Sequence, residues 1–188
     1  MDLEKIRHST SHILASAVKE LFPNAKLGIG PAIEDGFYYD FDLNHPFTPQ
    51  DLKKIEEKMQ QIINKNSDFK KTKKTREEAE KILKDEPLKL ELLKDLPDNN
   101  ITFYTHGNFT DLCAGPHIEN TKEIKAFKLL KVSGAYWKGE SKNKQLQRIY
   151  GTAFSSKKDL DKYLKQLEES EKRNHIKLGK QLDLFSIH

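Results

Sequence analysis

Two pairs of side chains in this sequence have residue types and spacing suited to chemistry. The first pair is His8 with His12, and the second is Cys113 with His117. Together they supply three imidazoles and one thiol, which are the donor groups of a tetrahedral zinc site. More than one hundred residues separate the two pairs in the sequence, so only the fold can bring them together.

His8 and His12 lie in a segment that is predicted to be helical. A spacing of four residues places both imidazoles on one helical face, one turn apart. The apolar stripe of the same helix is formed by Ile6, Ile13, Leu14, Ala17 and Leu21. The histidine face lies roughly opposite that stripe, so the simplest alternative is an exposed surface pair. Ala15, however, is small enough to let a ligand or a second layer approach.

Cys113 and His117 belong to the segment Asp111–His117. Within it, Gly115 and Pro116 favour a tight turn that returns the histidine towards the cysteine. The simplest alternative is an ordinary buried cysteine with a turn histidine nearby.

If the two pairs meet, three chemistries remain open. A zinc ion with four protein ligands would be structural, whereas three protein ligands and one open position would activate water. Without a metal, imidazoles with a pKa near neutrality could position water and a carbonyl group. A Cys–His nucleophilic dyad is the weakest alternative, since nothing local marks Cys113 as an activated thiolate.

Helices and antiparallel hairpins are the elements that position these residues. Helices are predicted over 4–21, from Thr48-Pro49, from Thr75, over 88–96 and, as a long polar helix, from Ser156 towards Lys177. Strands are predicted over 27–34 and 37–43, with a two-residue Asp35-Gly36 turn of positive φ between them. Further strands are predicted over 101–105, 109–113, 127–132 and 145–154.

This arrangement predicts the α+β class rather than alternating βαβ units. We expect an antiparallel or mixed sheet with helices packed on it, in two layers, and a long C-terminal connecting helix. Residues 70–74 are predicted to be an exposed edge strand or loop. The lysines there, at 70, 71, 73 and 74, could contact an RNA backbone, although a merely soluble edge is the simpler interpretation.

Composition bounds the class of protein. The 188 residues suffice for one substantial domain or two small ones. No run approaches the roughly 18 apolar residues of a membrane span. The opening residues lack the apolar stretch of a signal peptide. A single cysteine fits a reducing compartment. We therefore expect a soluble, cytoplasmic protein with no membrane partner. A net charge of +4 is compatible with an RNA partner without requiring one.

Several longer motifs resemble the editing domain of bacterial-type threonyl-tRNA synthetases. These motifs are Arg7–His12, Gly28–Pro31, Asp35–Asp40, Asp111–His117, Gly134–Gly139 and Leu146–Thr152. The segment Lys177–Phe185 is similar to the stretch that leads into the synthetic core of that enzyme. The resemblance covers nearly the whole chain in order. It implies an aminoacyl-tRNA editing domain over residues 1–155 and, over 156–188, a connecting helix leading towards an absent synthetic core.

The resemblance implies hydrolysis of mischarged seryl-tRNA(Thr) by a positioned water. Serine lacks one methyl group of threonine, which is worth only ~1–3 kcal/mol of discrimination. A synthetic pocket that accepts threonine therefore cannot exclude serine, whereas a second, tighter pocket can reject the larger threonine. The implied partners are the tRNA(Thr) acceptor end carrying serine and the rest of a threonyl-tRNA synthetase, in cis or in trans.

The same resemblance implies a role for each site residue. The catalytic residues are His8, Lys89, His117 and His12, and the substrate-binding residues are Asp111, Cys113, Tyr39 and Gly30. The first two catalytic residues are expected to handle water, and the other two to support them by hydrogen bonds. Asp111 is expected to bind the substrate ammonium, and Cys113 to form the wall that excludes the threonine methyl. We expect His8→Ala or Lys89→Ala to reduce hydrolysis strongly while leaving folding intact.

The resemblance also favours chemistry without a metal, because threonyl editing domains are understood to work without one. The expected cofactor is therefore none. Alanyl-tRNA synthetase editing domains share the paired motif and hold zinc, but they carry a Cys-Gly-Gly-Thr-His type of segment. A zinc-dependent alanyl-type deacylase, with zinc at His8, His12, Cys113 and His117, is the first alternative. A noncatalytic tRNA-binding module with a degenerate pocket is the second.

Overall fold

A computed structural model describes residues 2–183, with side chains described through residue 173. Within this part of the chain, five α-helices pack with two antiparallel sheets. This confirms the α+β class, with helices layered on sheet and a long helix at the C-terminal end. Among the helices of residues 2–183, none combines the length and the apolar character that crossing a bilayer requires.

The helices begin where local sequence signals place them. Their bounds are α1 Leu3–Leu21, α2 Pro49–Asn64, α3 Arg76–Ile82, α4 Pro87–Lys94 and α5 Lys157–Asp183. Thr48 and Thr75 each form a capping box. The threonine hydroxyl accepts a hydrogen bond from the backbone N–H three residues later, and the carboxylate of that later residue accepts one from the threonine N–H. The predicted starts of α2 and α3 are therefore confirmed.

The strands divide between a five-stranded sheet and a three-stranded sheet. In chain order they are β1 Lys26–Leu27, β2 Ala32–Ile33, β3 Gly36–Asp42, β4 Lys70–Lys73, β5 Thr102–His106, β6 Phe109–Leu112, β7 Ala126–Tyr136 and β8 Gln145–Phe154. The larger sheet has the order β1-β3-β8-β7, with β2 also paired to β3. The smaller sheet has the order β4-β5-β6, so the basic segment is an edge strand, as predicted.

The predicted hairpin is present, but its turn lies one residue earlier than expected. Ile33 pairs with Gly36, so residues 34 and 35 form the turn and the glycine belongs to β3. Gly36 does not have the positive φ that was predicted for it. A Cβ at this position would overlap the carbonyl oxygen of Gly151 on β8. The close approach of two strands, rather than a turn conformation, therefore requires this glycine.

Helix α1 lies in the largest core, packed on the five-stranded sheet beside α2. It is buried almost continuously from Ile6 to Val18, including the small polar residues of its histidine face. The buried hydroxyls have partners, since Ser11 donates to the backbone carbonyls of His8 and Gly30. The alternative of an exposed histidine pair on a free surface is therefore wrong.

The smaller sheet uses its two faces differently, because successive strand residues alternate between faces. Phe103 and Leu112 pair with each other across β5 and β6 and pack in a second core with residues of α3 and α4. The opposite face carries Tyr104, His106 and Asp111. These side chains contact the histidines of α1 and of the segment after β6. The histidine face of α1 therefore lies against the smaller sheet.

Helix α5 begins directly after the larger sheet. The Ser156 hydroxyl accepts a hydrogen bond from the Asp159 N–H, and Leu160 is buried. The Tyr163 ring lies 5.3 Å from that of Phe154 at the end of β8, measured between centroids. The domain boundary between residues 155 and 156 stays a prediction. The end of the predicted connecting segment, residues 184–188, lies outside the described residues and includes the end of the 177–185 motif.

Candidate active site

The structure brings the two pairs of chemically active residues together. Cys113 Sγ lies 3.4 Å from His8 Nε2 and 3.3 Å from His117 Nε2. One donor atom from each of these residues and from His12 lies within 4.8 Å of the others. Helix α1 supplies two of the four groups, and the segment after β6 supplies the other two. We call these four residues the His–Cys cluster.

A tight turn after β6 brings His117 back to Cys113. Gly115 has a φ of +79°, a conformation that side chains other than glycine rarely adopt. A Cβ there would also overlap the hydroxyl of Tyr104. The Gly115 N–H donates to Cys113 Sγ at 3.3 Å. The glycine that the sequence placed in a turn is therefore required both by its conformation and by the aromatic ring beside it.

The hydrogen bonds of His8 determine which of its nitrogens carries the proton. Nδ1 lies 3.1 Å from the carbonyl oxygen of Pro116, and a carbonyl oxygen can only accept, so Nδ1 is the donor. Burial lowers the pKa of His8, against the opposing effect of this hydrogen bond. The ring is therefore neutral at pH 7, and its unprotonated Nε2 faces the Cys113 thiol at 3.4 Å.

His117 is held in place from behind by Ser9 and Phe69. Ser9 Oγ lies 3.0 Å from His117 Nδ1 and accepts the Ile118 N–H at 3.0 Å. The Phe69 ring stacks on the imidazole with 5.0 Å between centroids and 7° between planes. Ser9 stands between the two helical histidines in the sequence, and this position is the only sequence signal for its role. The helical pattern alone does not show that its hydroxyl faces His117.

A buried ion pair lies beside the His–Cys cluster. Lys89 Nζ lies 2.7 Å from Asp111 Oδ1, and their side chains are only 4% and 1% exposed. The Tyr39 hydroxyl donates to Asp111 Oδ2 at 2.7 Å. His12 Nδ1 lies 3.6 Å from the same oxygen, too far for a hydrogen bond. Residues from α4, β6 and β3 thus meet at one carboxylate.

The remaining predicted site residue, Gly30, lies against the ring of Tyr39. A Cβ at Gly30 would overlap that ring, so this position requires glycine for packing inside the protein. The approach of its backbone to a substrate stays a prediction. The contact of Asp111 with a substrate ammonium also stays a prediction. In the structure, both of its carboxylate oxygens contact groups of the protein itself.

Burial keeps the cluster uncharged. Desolvation lowers the pKa of His12 and of His117 well below the ordinary imidazole value, and the neighbouring imidazoles add to this effect. Burial also raises the pKa of Cys113 to about 11. At neutral pH the cluster therefore contains neutral imidazoles and a protonated thiol, which disfavours Cys113 as a nucleophile.

Another histidine, His106, is buried behind the cluster on β5. It is 2% exposed, and its ring packs against Phe69 and Phe109 with centroid distances of 5.0 and 5.4 Å. Burial lowers the pKa of His106 to about 4, although a hydrogen bond with the backbone of His12 opposes the shift. The sequence does not reveal this residue, because its importance depends on which face of β5 turns towards α1.

We expect the free energy of unfolding to decrease as the pH is lowered from 7 to 5. The pKa values of His12, His106 and His117 are lowered by folding, so the unfolded chain binds protons first below pH 6.5. Each of these imidazoles then lowers the free energy of unfolding by about 1.4 kcal/mol for each unit by which the pH falls. This continues until the pH reaches the lowered pKa of that imidazole in the folded protein. Urea unfolding followed by circular dichroism at several pH values measures the slope.

The His106→Gln variant provides the control for this pH dependence. Removing one imidazole should make the slope between pH 6.5 and 5 shallower by about 1.4 kcal/mol per pH unit, whatever the variant does to stability at pH 7. A slope equal to that of the original chain would contradict the prediction.

Comparison with known proteins matches a family profile and several curated relatives. A profile of the family described as Threonyl and Alanyl tRNA synthetase second additional domain matches residues 101–150. The chain is 58% identical over 185 residues to the threonine–tRNA ligase of Acetivibrio thermocellus, covering 97% of this chain and 29% of that protein. It is 58% identical over 186 residues to that of Clostridium tetani, covering 97% and 29%. It is 55% identical over 187 residues to one from Dehalococcoides mccartyi, covering 100% and 32%.

The His–Cys cluster and the profile match point to the same class, because residues 101–150 carry a domain of the threonyl and alanyl tRNA synthetase second additional domain family. The chain is similar to the threonyl proteins along nearly its whole length. This confirms the resemblance to the editing domain of bacterial-type threonyl-tRNA synthetases. The chain spans about 30% of the length of the curated relatives it matches.

Proposed function

We propose that this chain hydrolyses the ester that joins serine to the terminal adenosine of tRNA(Thr). The convergence of His8, His12, Cys113 and His117 within 4.8 Å carries the proposal. The relatives that match along the whole chain are threonine–tRNA ligases. A ligase for threonine gains only ~1–3 kcal/mol from the methyl group that serine lacks, so it needs a separate hydrolytic site.

His8 is the proposed base in this reaction. Its Nε2 is unprotonated, since Nδ1 donates its proton to the Pro116 carbonyl, and it lies 3.4 Å from Cys113 Sγ within the cluster. A water oxygen attacks the ester carbonyl carbon while Nε2 takes the water proton. The bond between that carbon and the ribose oxygen then breaks, and this oxygen receives the proton from Nε2 and becomes a hydroxyl group. The products are serine and tRNA(Thr).

Charged and polar neighbours support this step. The Lys89 ammonium is proposed to hold the water and to stabilise the negative charge that develops on the ester oxygen. Asp111 holds Lys89 by the 2.7 Å ion pair and is proposed to attract the substrate ammonium. His12 and His117 are proposed to support the water by hydrogen bonds. Cys113, as a neutral thiol, and Tyr39 are proposed to form the pocket wall.

Deacylation of seryl-tRNA(Thr) and threonyl-tRNA(Thr) by the purified chain tests the proposal. We expect the seryl ester to be hydrolysed faster, because a pocket sized for serine overlaps with the additional methyl group. Binding of tRNA without turnover of either ester would instead support the noncatalytic binding module. The proposed partners are the acceptor end of tRNA(Thr) carrying serine and the rest of a threonyl-tRNA synthetase, and the proposed location is the cytoplasm.

A zinc-dependent deacylase of the alanyl type is the second candidate, and the donor set favours it. Cys113 Sγ lies 3.3 and 3.4 Å from the two Nε2 atoms. A sulfur and a nitrogen ligand of a tetrahedral zinc ion are about 3.5 Å apart, so these distances are similar. The His–Cys cluster therefore has the donor set for a zinc ion, with two donor distances of the expected length and all four donor atoms within 4.8 Å of one another. Bound zinc would supply Lewis acid chemistry, but only if one of the four positions were open.

Metal analysis and chelation separate the two candidates. Under the metal-free mechanism, the purified chain should hydrolyse seryl-tRNA(Thr) at an unchanged rate after treatment with a chelator. Loss of activity on chelation, with recovery on addition of zinc, would favour the zinc-dependent deacylase.

A further inference from the structure

The rim of the His–Cys cluster includes a lysine from the free edge of the smaller sheet. Lys71 Nζ donates to the carbonyl oxygen of Ala114 at 3.1 Å, within the turn that carries Cys113 and His117. The same ammonium lies 5.6 Å from the centroid of the Tyr104 ring. Lys71 thus places a positive charge directly at the edge of the candidate active site.

The pleat of β4 selects which lysines face the site. Lys71 pairs with Tyr104 and Lys73 pairs with Thr102, and directly paired residues lie on the same face of a sheet. Tyr104 contacts His117, and the Thr102 hydroxyl donates to the Cys113 carbonyl, so this face borders the site. Lys70 is one position earlier and therefore lies on the opposite face. All three lysines are exposed.

The other side of the site has the opposite charge. A cleft beside His8 is lined by Asp2 and Glu4 at the start of α1. Lys5 also lines this cleft, but its ammonium lies 3.9 Å from the Asp2 carboxylate. The charge around the site therefore changes from negative at the start of α1 to positive along β4. A polyanion would be attracted to the β4 side and repelled from the other.

We propose that Lys71 and Lys73 bind the phosphodiesters of the nucleotides that precede the terminal adenosine. The single-stranded end of the tRNA then reaches the His–Cys cluster across β4 and not past the start of α1. Lysine suits this task, since a compact charge on a flexible stem contacts phosphate without selecting a base. The inference rests on the proposed function and adds the direction from which the substrate enters.

The test compares two serine esters that differ in phosphate. Seryl-tRNA(Thr) carries the phosphodiesters, whereas the serine ester of adenosine has none. For the Lys71→Ala/Lys73→Ala variant, kcat/KM with seryl-tRNA(Thr) should fall about tenfold, mainly through KM, while hydrolysis of the adenosine ester is unchanged. The slope of log kcat/KM against log salt concentration should become shallower by about 1.4, or about 0.7 for each lost phosphate contact.

Lys70→Ala is the matched control, because it removes the same charge from the same strand on the opposite face. It should leave kcat/KM and its salt dependence unchanged, whereas Lys71→Arg should retain most of the activity. Glu4→Gln should leave kcat/KM unchanged or raise it. An equal loss with both esters in the double variant would show that the lysines position the turn, and would overturn the inference. Unchanged kcat/KM with seryl-tRNA(Thr) would do the same.

Binding of uncharged tRNA(Thr), followed by fluorescence anisotropy, separates this inference from the proposed function. If the original chain hydrolyses neither ester, the proposed function fails. The inference then still requires weaker, less salt-dependent tRNA binding by the double variant than by Lys70→Ala. Equal binding by the two variants would overturn it.

Discussion

The His8→Ala variant is expected to hydrolyse seryl-tRNA(Thr) roughly a hundredfold to ten-thousandfold more slowly than the original chain, the range for loss of a general base. The orientation of the His8 ring leaves Nε2 unprotonated and facing the His–Cys cluster, because the Pro116 carbonyl fixes the proton on Nδ1. Single-turnover deacylation at pH 7, with enzyme in excess, measures the effect on the chemical step.

The pH profile gives a second readout of the same residue. The base must be neutral to accept a proton, and burial lowers the pKa of His8. The original chain should therefore lose activity in acid with a midpoint below 6.5, while the residual activity of His8→Ala should lack that step. Added imidazole should restore part of the variant's activity.

His45→Ala is the control for this experiment. His45 is an exposed histidine in the loop before α2, where it packs near Phe22, and its removal should leave deacylation unchanged. If His8→Ala were folded and fully active, His8 would not be the base, and the proposed mechanism would be wrong at its first step.

Replacing Lys89 is expected to have the largest effect on stability. Lys89→Met should lower the free energy of unfolding by about 3–5 kcal/mol, because it leaves the Asp111 carboxylate buried without its cation. The burial of this pair, at 4% and 1% exposure, revises the expectation that a Lys89 variant folds normally. Urea unfolding at pH 7 measures the change, and activity must be compared under conditions where the variant is folded.

A double-mutant cycle tests whether the effect belongs to the ion pair. The Lys89→Met/Asp111→Leu variant should be less destabilised than the sum of the two single variants, because the double change leaves no unpaired charge. Lys172→Met is the control, since Lys172 and Glu168 form an ion pair of 2.6 Å between exposed side chains. If Lys89→Met destabilised the chain no more than Lys172→Met, the buried pair would have no special role.

The parts of the fold that depend on local sequence were predictable. Capping boxes at Thr48 and Thr75 involve residues three apart, so their helix starts follow from the sequence. The hairpin turn at residues 34 and 35 was misplaced because Gly36 serves a tertiary contact with β8. The burial of both sides of α1 was also missed, since Ser9 and Ser11 have the polarity of surface residues.

The candidate site likewise combines features that follow from local sequence with features that depend on tertiary contacts. The His8–His12 spacing and the turn at Gly115 are local, and both could be identified from the sequence. Lys89 came from the resemblance alone, because a contact between α4 and β6 leaves no pattern in the sequence. His106 could not be found, and Lys71 could not be distinguished from Lys70, since both depend on which face of the smaller sheet turns towards α1.

The division of the site among distant elements limits how far this protein can be shortened. An excised peptide of residues 101–150, the portion that matches the family profile, would retain Asp111, Cys113 and His117. It would lack His8 and His12 of α1 and Lys89 of α4. A minimal catalyst, or a graft of this chemistry onto another scaffold, would therefore have to include α1 and α4 as well as the hairpin.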